Sequence, residues 1–112
     1  MKVYLVAHTI QVADLEDIDI VDIWSKTLVI VAKYFFIKKW IAHEFGPGAY
    51  TQAIILAESH AVIQTYPELN KVFITIEFHE EEGTKAIPIY NCLKELNETF
   101  KALECKTNIS ER

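Results

Sequence analysis

Ile54-Ile55-Leu56-Ala57-Glu58-Ser59-His60-Ala61-Val62-Ile63-Gln64-Thr65-Tyr66-Pro67-Glu68 reads as two apolar strands joined by the polar triplet Glu58-Ser59-His60. No Gly, Asn or Asp is present to make an ordinary two-residue hairpin turn. A carboxylate, a hydroxyl and an imidazole therefore sit between hydrophobic runs, where an unpartnered polar group is costly to bury. On pattern alone the triplet is a surface junction between strands.

Working outward, Lys71 to Phe78 alternates cleanly. Val72, Ile74, Ile76 and Phe78 share one face; Phe73, Thr75, Glu77 and His79 share the other. Pro67-Glu68-Leu69-Asn70 makes the turn before this strand, and Gly46-Pro47-Gly48 marks a loop before Thr51 to Ala57. Tyr34 to Phe45 reads as a further strand, and Lys2 to Thr9 as the first. Between those two lies an acidic run, Asp14 to Asp22, opening a helical spacing of Ile20, Ile23, Trp24, Thr27, Leu28 and Val31. Acidic side chains suit the positive end of a helix dipole, so the run reads as a helix start and not as a metal site.

Thr84 is the expected N-cap of a second helix, with Pro88 in its first turn. Ile89, Leu93, Leu96, Phe100 and Leu103 are assigned to the buried face of that helix. Cys105 to Ile109 reads as a final strand. The predicted order is β-α-β-β-β-β-α-β: an α+β two-layer sandwich of a mainly antiparallel sheet with two helices on one face. The other face would then carry His60, Gln64, Thr75, Glu77 and His79. Such a half-polar face serves as a binding site, as a contact between copies, or as solvated surface.

The chain of 112 residues makes one domain, 1–112, large enough for its own core. Eleven basic against sixteen acidic residues leave a net charge of −5, and no basic patch with interleaved aromatics appears. A nucleic-acid partner is therefore not expected. Leu28 to Ala42, interrupted by Lys33, Lys38 and Lys39, falls short of the ~20 apolar residues of a membrane span. Cys92 and Cys105 are read as inert packing in a cytosolic protein. His43-Glu44 and His79-Glu80 lack metal-ligand spacing, no metal is expected, and no Gly-rich phosphate loop or GxSxG elbow is present.

Phe45, Pro47, Thr51, Ala57-Glu58-Ser59-His60 and Ile63-Gln64-Thr65-Tyr66-Pro67-Glu68 together resemble the core of the short prokaryotic S-adenosylmethionine decarboxylase proenzymes. That resemblance implies a self-processing pyruvoyl enzyme of spermidine and polyamine biosynthesis. The hydroxyl of Ser59 would attack the carbonyl of Glu58, and elimination would leave a pyruvoyl group at position 59. Its carbonyl would form a Schiff base with S-adenosylmethionine and act as electron sink for loss of CO₂. By the same resemblance Phe45 would stack on adenine, Glu68 would hold the ribose hydroxyls, Tyr66 would lie near the substrate, and Thr51, also in the substrate site, would supply a hydroxyl near the processing site. The active unit would be at least a homodimer with sites near the subunit boundary.

Two positions depart from the family pattern. The family's processing histidine is Gln64, an amide that takes no proton near neutral pH. The family's proton-donating cysteine is His79, which retains a proton to donate. His79, expected on the same sheet face as Gln64, is the candidate to compensate, and His79→Ala is then expected to abolish cleavage. Two other readings stay open: a non-processing homologue acting as a binding or regulatory subunit, and a pyruvoyl decarboxylase for another amino acid.

Overall fold

The computed structural model describes residues 2–80 and 86–112. Six strands and two helices follow in the order β1 (Lys2–Gln11), α1 (Ile20–Tyr34), β2 (Ile37–Gly46), β3 (Ala49–Leu56), β4 (His60–Tyr66), β5 (Lys71–Glu80), α2 (Ala86–Phe100) and β6 (Glu104–Glu111). They form one sheet, β2-β3-β4-β5-β1-β6, in which every neighbouring pair is antiparallel. This is the expected element order. The two helical crossovers place β1 between β5 and β6, which its short-range neighbours in sequence do not reveal.

Alternation along each strand decides what the helices cover. Val6, Ile10, Tyr50, Ile54, Ile63, Val72, Ile74, Ile76 and Phe78 are buried together with Ile20, Ile23, Ile30 and Val31 of α1 and Ile89, Leu93, Leu96 and Phe100 of α2. The opposite face of the sheet carries no helix among the described residues.

α1 begins where the acidic run predicts: the Asp19 carboxylate caps it by accepting from the Asp22 amide at 3.1 Å. It runs to Tyr34, so the following strand starts at Ile37, three residues later than expected. The reason is tertiary. Tyr34 stays helical with its hydroxyl donating to Glu95 of α2, while Lys33 donates to the same carboxylate at 2.5 Å. Hydrogen bonds from Lys33 and then Tyr34 hold the Glu95 carboxyl below its ordinary value, and the bond to Glu95 pushes the Tyr34 phenol up to about 12.

The two shifts act at opposite ends of the pH scale. A depressed carboxyl contributes stability that is present above the unfolded carboxylate range and lost as pH falls. A raised phenol contributes stability that is lost as pH rises from 10.0 toward about 12. Urea midpoints measured across pH are therefore expected to decline at both ends, and Glu95→Gln is expected to flatten the acid decline.

The α2 terminus corrects the sequence reading. Lys101 takes φ 56°, its amide donates to Glu98 O at 3.1 Å, and the Ala102 amide donates to Asn97 O at 2.9 Å. This Schellman arrangement stops the helix at Phe100, so Leu103 lies beyond it and is exposed rather than part of the buried face. A lysine pays a steric cost in that left-handed conformation, so Lys101→Gly is expected to raise stability by about 1 kcal/mol, read from thermal or urea unfolding.

Cys105 also departs from expectation. It is exposed on the edge strand β6, where its sulfur accepts from Asn97 Nδ2 at 3.5 Å, whereas Cys92 is buried and its thiol is pushed up to about 12 by burial. The expected cap Thr84 lies outside the described residues. Pro88 does fall in the first turn of α2. A buried imidazole ties the second crossover together: His8 pairs through Nδ1 with Thr107 Oγ1 and through Nε2 with Asn97 Oδ1, both at 2.7 Å.

Candidate active site on the open sheet face

Three residues, Ala57, Glu58 and Ser59, connect β3 to β4. The junction is closed by the Leu56 amide donating to Ser59 O at 2.9 Å. Ser59 is half-buried and Glu58 exposed. With no residue of positive φ in the connection, the backbone turns within ordinary conformations, and the Glu58–Ser59 peptide is held between two paired strands.

Charged side chains gather around it from distant parts of the chain. His79, near the end of β5, directs Nε2 at Glu58 Oε2, 3.1 Å away. His60 opens β4, and its Nε2 lies 3.4 Å from Glu77 Oε2. The other oxygen of Glu77 is 3.4 Å from Arg112 Nε. Arg112 is fixed by its amide, which donates to Val3 O at 2.8 Å. Register explains the meeting: His60 pairs with Glu77, Glu77 with Leu5, and Leu5 with Ser110, so one row of the open face crosses four strands.

The remaining predicted residues occupy the other end of the same face. Gln64 pairs with Thr51 on one side and Phe73 on the other. Tyr66 packs edge-on against Phe73 with ring centroids 5.4 Å apart. Phe45 stands at an irregularity in the β2–β3 register, two-thirds exposed, with the His43 ring 4.6 Å away. A bulge of this kind re-aims a side chain out of the strand's alternation. Glu68 lies exposed in the turn after β4.

Gly48 and Thr65 hold this end in shape. Gly48 has φ +73°, and a Cβ there would come within 2.1 Å of Leu15 O. Its carbonyl accepts from Thr65 Oγ1 at 2.5 Å, and that hydroxyl oxygen accepts from the Tyr50 amide at 2.9 Å.

The expected face therefore holds all the predicted side chains of β4 and β5, but not in one place. Ser59 and Gln64 are five residues apart on an extended strand, ~17 Å. His79 is six residues along β5 from Phe73, the register partner of Gln64, or ~20 Å. The structure brings His79 to Glu58 and does not bring it to Gln64.

Glu77 and Arg112 had no assigned role in the sequence. Glu77 was legible as a member of the open face from its two-residue spacing to His79. Nothing in the sequence signalled Arg112, since only strand order places β6 beside β1. An open depression of about 570 Å³, lined in part by Lys71, Phe73 and Lys106, also lies on this face, away from the Glu58–Ser59 junction. No described helix is long and apolar enough to cross a membrane.

Comparison with known proteins agrees with this architecture. The chain is 34% identical over 93 residues to the S-adenosylmethionine decarboxylase proenzyme of Sulfurihydrogenibium sp., a match covering 81% of this chain and 59% of that relative's length. Its fold is similar to the crystal structure of the adenosylmethionine decarboxylase from Aquifex aeolicus, with a TM-score of 0.79 at 18% identity, covering 99% of this chain and 90% of that one. The family model for S-adenosylmethionine decarboxylase matches residues 2–112. With the match spanning nearly every residue, the chain belongs to the S-adenosylmethionine decarboxylase family.

Proposed function

We propose that the chain is a proenzyme that cleaves itself between Glu58 and Ser59 and then decarboxylates S-adenosylmethionine for spermidine and polyamine synthesis in the cytoplasm. The observation that carries this reading is the Glu58–Ser59 junction: a serine held by two paired strands, with the preceding carboxylate engaged by His79 at 3.1 Å.

Processing uses only groups of this chain and water. The Ser59 hydroxyl oxygen attacks the Glu58 carbonyl carbon, the C–N bond breaks, and the nitrogen takes up the proton that the oxygen lost. Removal of the Ser59 Cα proton then expels the main-chain carboxylate of Glu58, the new end of the first fragment, from Ser59 Cβ, leaving dehydroalanine. Tautomerisation and hydrolysis release ammonia and leave a pyruvoyl group at the new end. The tight junction favours the first step because it keeps the hydroxyl beside the carbonyl it attacks. Once formed, the pyruvoyl group supplies an electrophilic carbonyl and electron sink for loss of CO₂.

The chain's other residues then bind and protonate. His79, on the open face beside the junction, donates a proton to the decarboxylated carbon. Phe45 stacks on the adenine, Glu68 accepts from the ribose hydroxyls, and Thr51, Gln64 and Tyr66 line the pocket between them. Gln64 stands ~17 Å from Ser59 along the strand, and Thr51 pairs with Gln64 and Tyr66 lies further along, so a second copy is needed to complete this site. Two copies meeting through their open faces, related by a two-fold axis, would set the Phe45–Gln64 end of each against the Ser59 end of the other.

Intact mass of the purified protein tests the reading. Two fragments divided between Glu58 and Ser59, the second with a blocked amino end, are expected. A single full-length chain after long incubation would instead identify a non-processing binding subunit. Cleavage followed by activity on arginine, ornithine or lysine, and not on S-adenosylmethionine, would reassign the substrate.

A further inference from the structure

We infer that His60 is the base for self-processing and that Glu77, held by Arg112, is the positioning residue that aims it; this rests on the self-cleaving reading above. Gln64 leaves the chain without an imidazole at the position where the resemblance expects one, and the structure keeps His79 on the Glu58 side chain. His60 is the other imidazole at the junction, one residue from the nucleophile.

The geometry selects its working nitrogen. Nε2 faces Glu77 Oε2 at 3.4 Å, a contact that favours the tautomer with its proton on Nε2 and its lone pair on Nδ1. In histidine the bond made by one ring nitrogen sets the tautomer of the other. Nδ1 is the nitrogen nearer the residue's own main chain, which Ser59 immediately precedes. Glu77 is a divided carboxylate: Oε2 serves His60, and Oε1 lies 3.4 Å from Arg112 Nε. The guanidinium holds that carboxylate in place while the imidazole gains its proton.

In the first step the proton on Ser59 Oγ passes to His60 Nδ1 as the oxygen bonds to the Glu58 carbonyl carbon. The same proton returns to the departing nitrogen as the C–N bond breaks, so His60 ends neutral. The imidazolium formed between these events is stabilised by Glu77, as a carboxylate stabilises the histidine of a catalytic triad. Charged groups near His60 are Glu77 and His79 of β5, Glu58 of the junction, Arg112 beyond β6, and Lys39, whose register partner Ile55 pairs with His60.

The test is the half-time of conversion of full-length chain to two fragments, followed by mass across pH 5 to 9. His60→Ala is expected to slow conversion by ~10²-fold or more, with partial recovery on adding free imidazole. Glu77→Gln is expected to slow it on the order of ten-fold or more and to shift its pH profile, with Glu77→Asp recovering part of the rate. Arg112→Gln changes an exposed side chain outside the core, so it reports on the same network if a Glu77 variant does not fold; a slower, pH-shifted conversion is expected. Parent protein that never cleaves would refute the processing reading itself. Parent protein that cleaves while His60→Ala and Arg112→Gln match its rate and pH profile would overturn the present assignment alone. Loss of cleavage in His79→Ala with normal cleavage in His60→Ala would overturn it in favour of His79.

Discussion

Ser59→Ala is expected to remain a single full-length chain under conditions in which the parent protein becomes two fragments. The substitution removes the only atom that can attack the Glu58 carbonyl from the adjoining residue, and the methyl group that replaces it has no lone pair. Structure around the junction should persist. The main-chain contact that closes it runs from the Leu56 amide to the Ser59 carbonyl and involves no side chain. Ser59 is half-buried and outside the core, so the change in stability is expected to stay within about 0.5 kcal/mol. Unfolding curves would thus coincide while the mass spectra differ completely. Fragments from Ser59→Ala would show that ordinary proteolysis, and not the hydroxyl, breaks the chain.

His79→Ala carries the second large effect, on turnover by the cleaved enzyme. His79 brings an imidazole to the junction, and general acid catalysis by a positioned side chain is typically worth ~10²–10⁴-fold. Decarboxylation of S-adenosylmethionine is expected to fall by that factor, with substrate affinity changed less, because Phe45 and Glu68, the residues proposed to hold adenine and ribose, lie away from His79. His79→Cys offers the control. A thiol also donates a proton, so it should recover much of the rate, whereas a purely structural role for the 3.1 Å contact with Glu58 would not be restored by the smaller side chain. Steady-state rates on fully cleaved protein separate the two.

Both predictions depend on local sequence signals that the fold carried through. The alternation from Val72 to Phe78 settled which face is buried, because a slip of one residue would have turned four apolar side chains into solvent. The Asp19 cap and the spacing from Ile20 to Val31 were sufficient for α1 for the same kind of reason: each depends on residues within a turn or two of one another. Leu103 failed that test. Its position suits the helical period, but Lys101 adopts a left-handed conformation that ends the helix first, and propensity gives no warning of a lysine in that role.

What the sequence by itself determined was the element order, the covered and open faces of the sheet, and a serine at a junction too short for a free loop. Only the tertiary structure decided which ends of those elements meet. The two crossovers insert β1 beside β5 and set β6 against it, carrying Arg112 to Glu77 and so to His60. The same register separates Gln64 from His79, although both share the open side of the sheet, and leaves Ser59 at the junction ~17 Å from Gln64. A strand's side-chain period fixes the face a residue points from. Its position along the face depends on pairing with strands tens of residues away, and that pairing divides the predicted site into two halves.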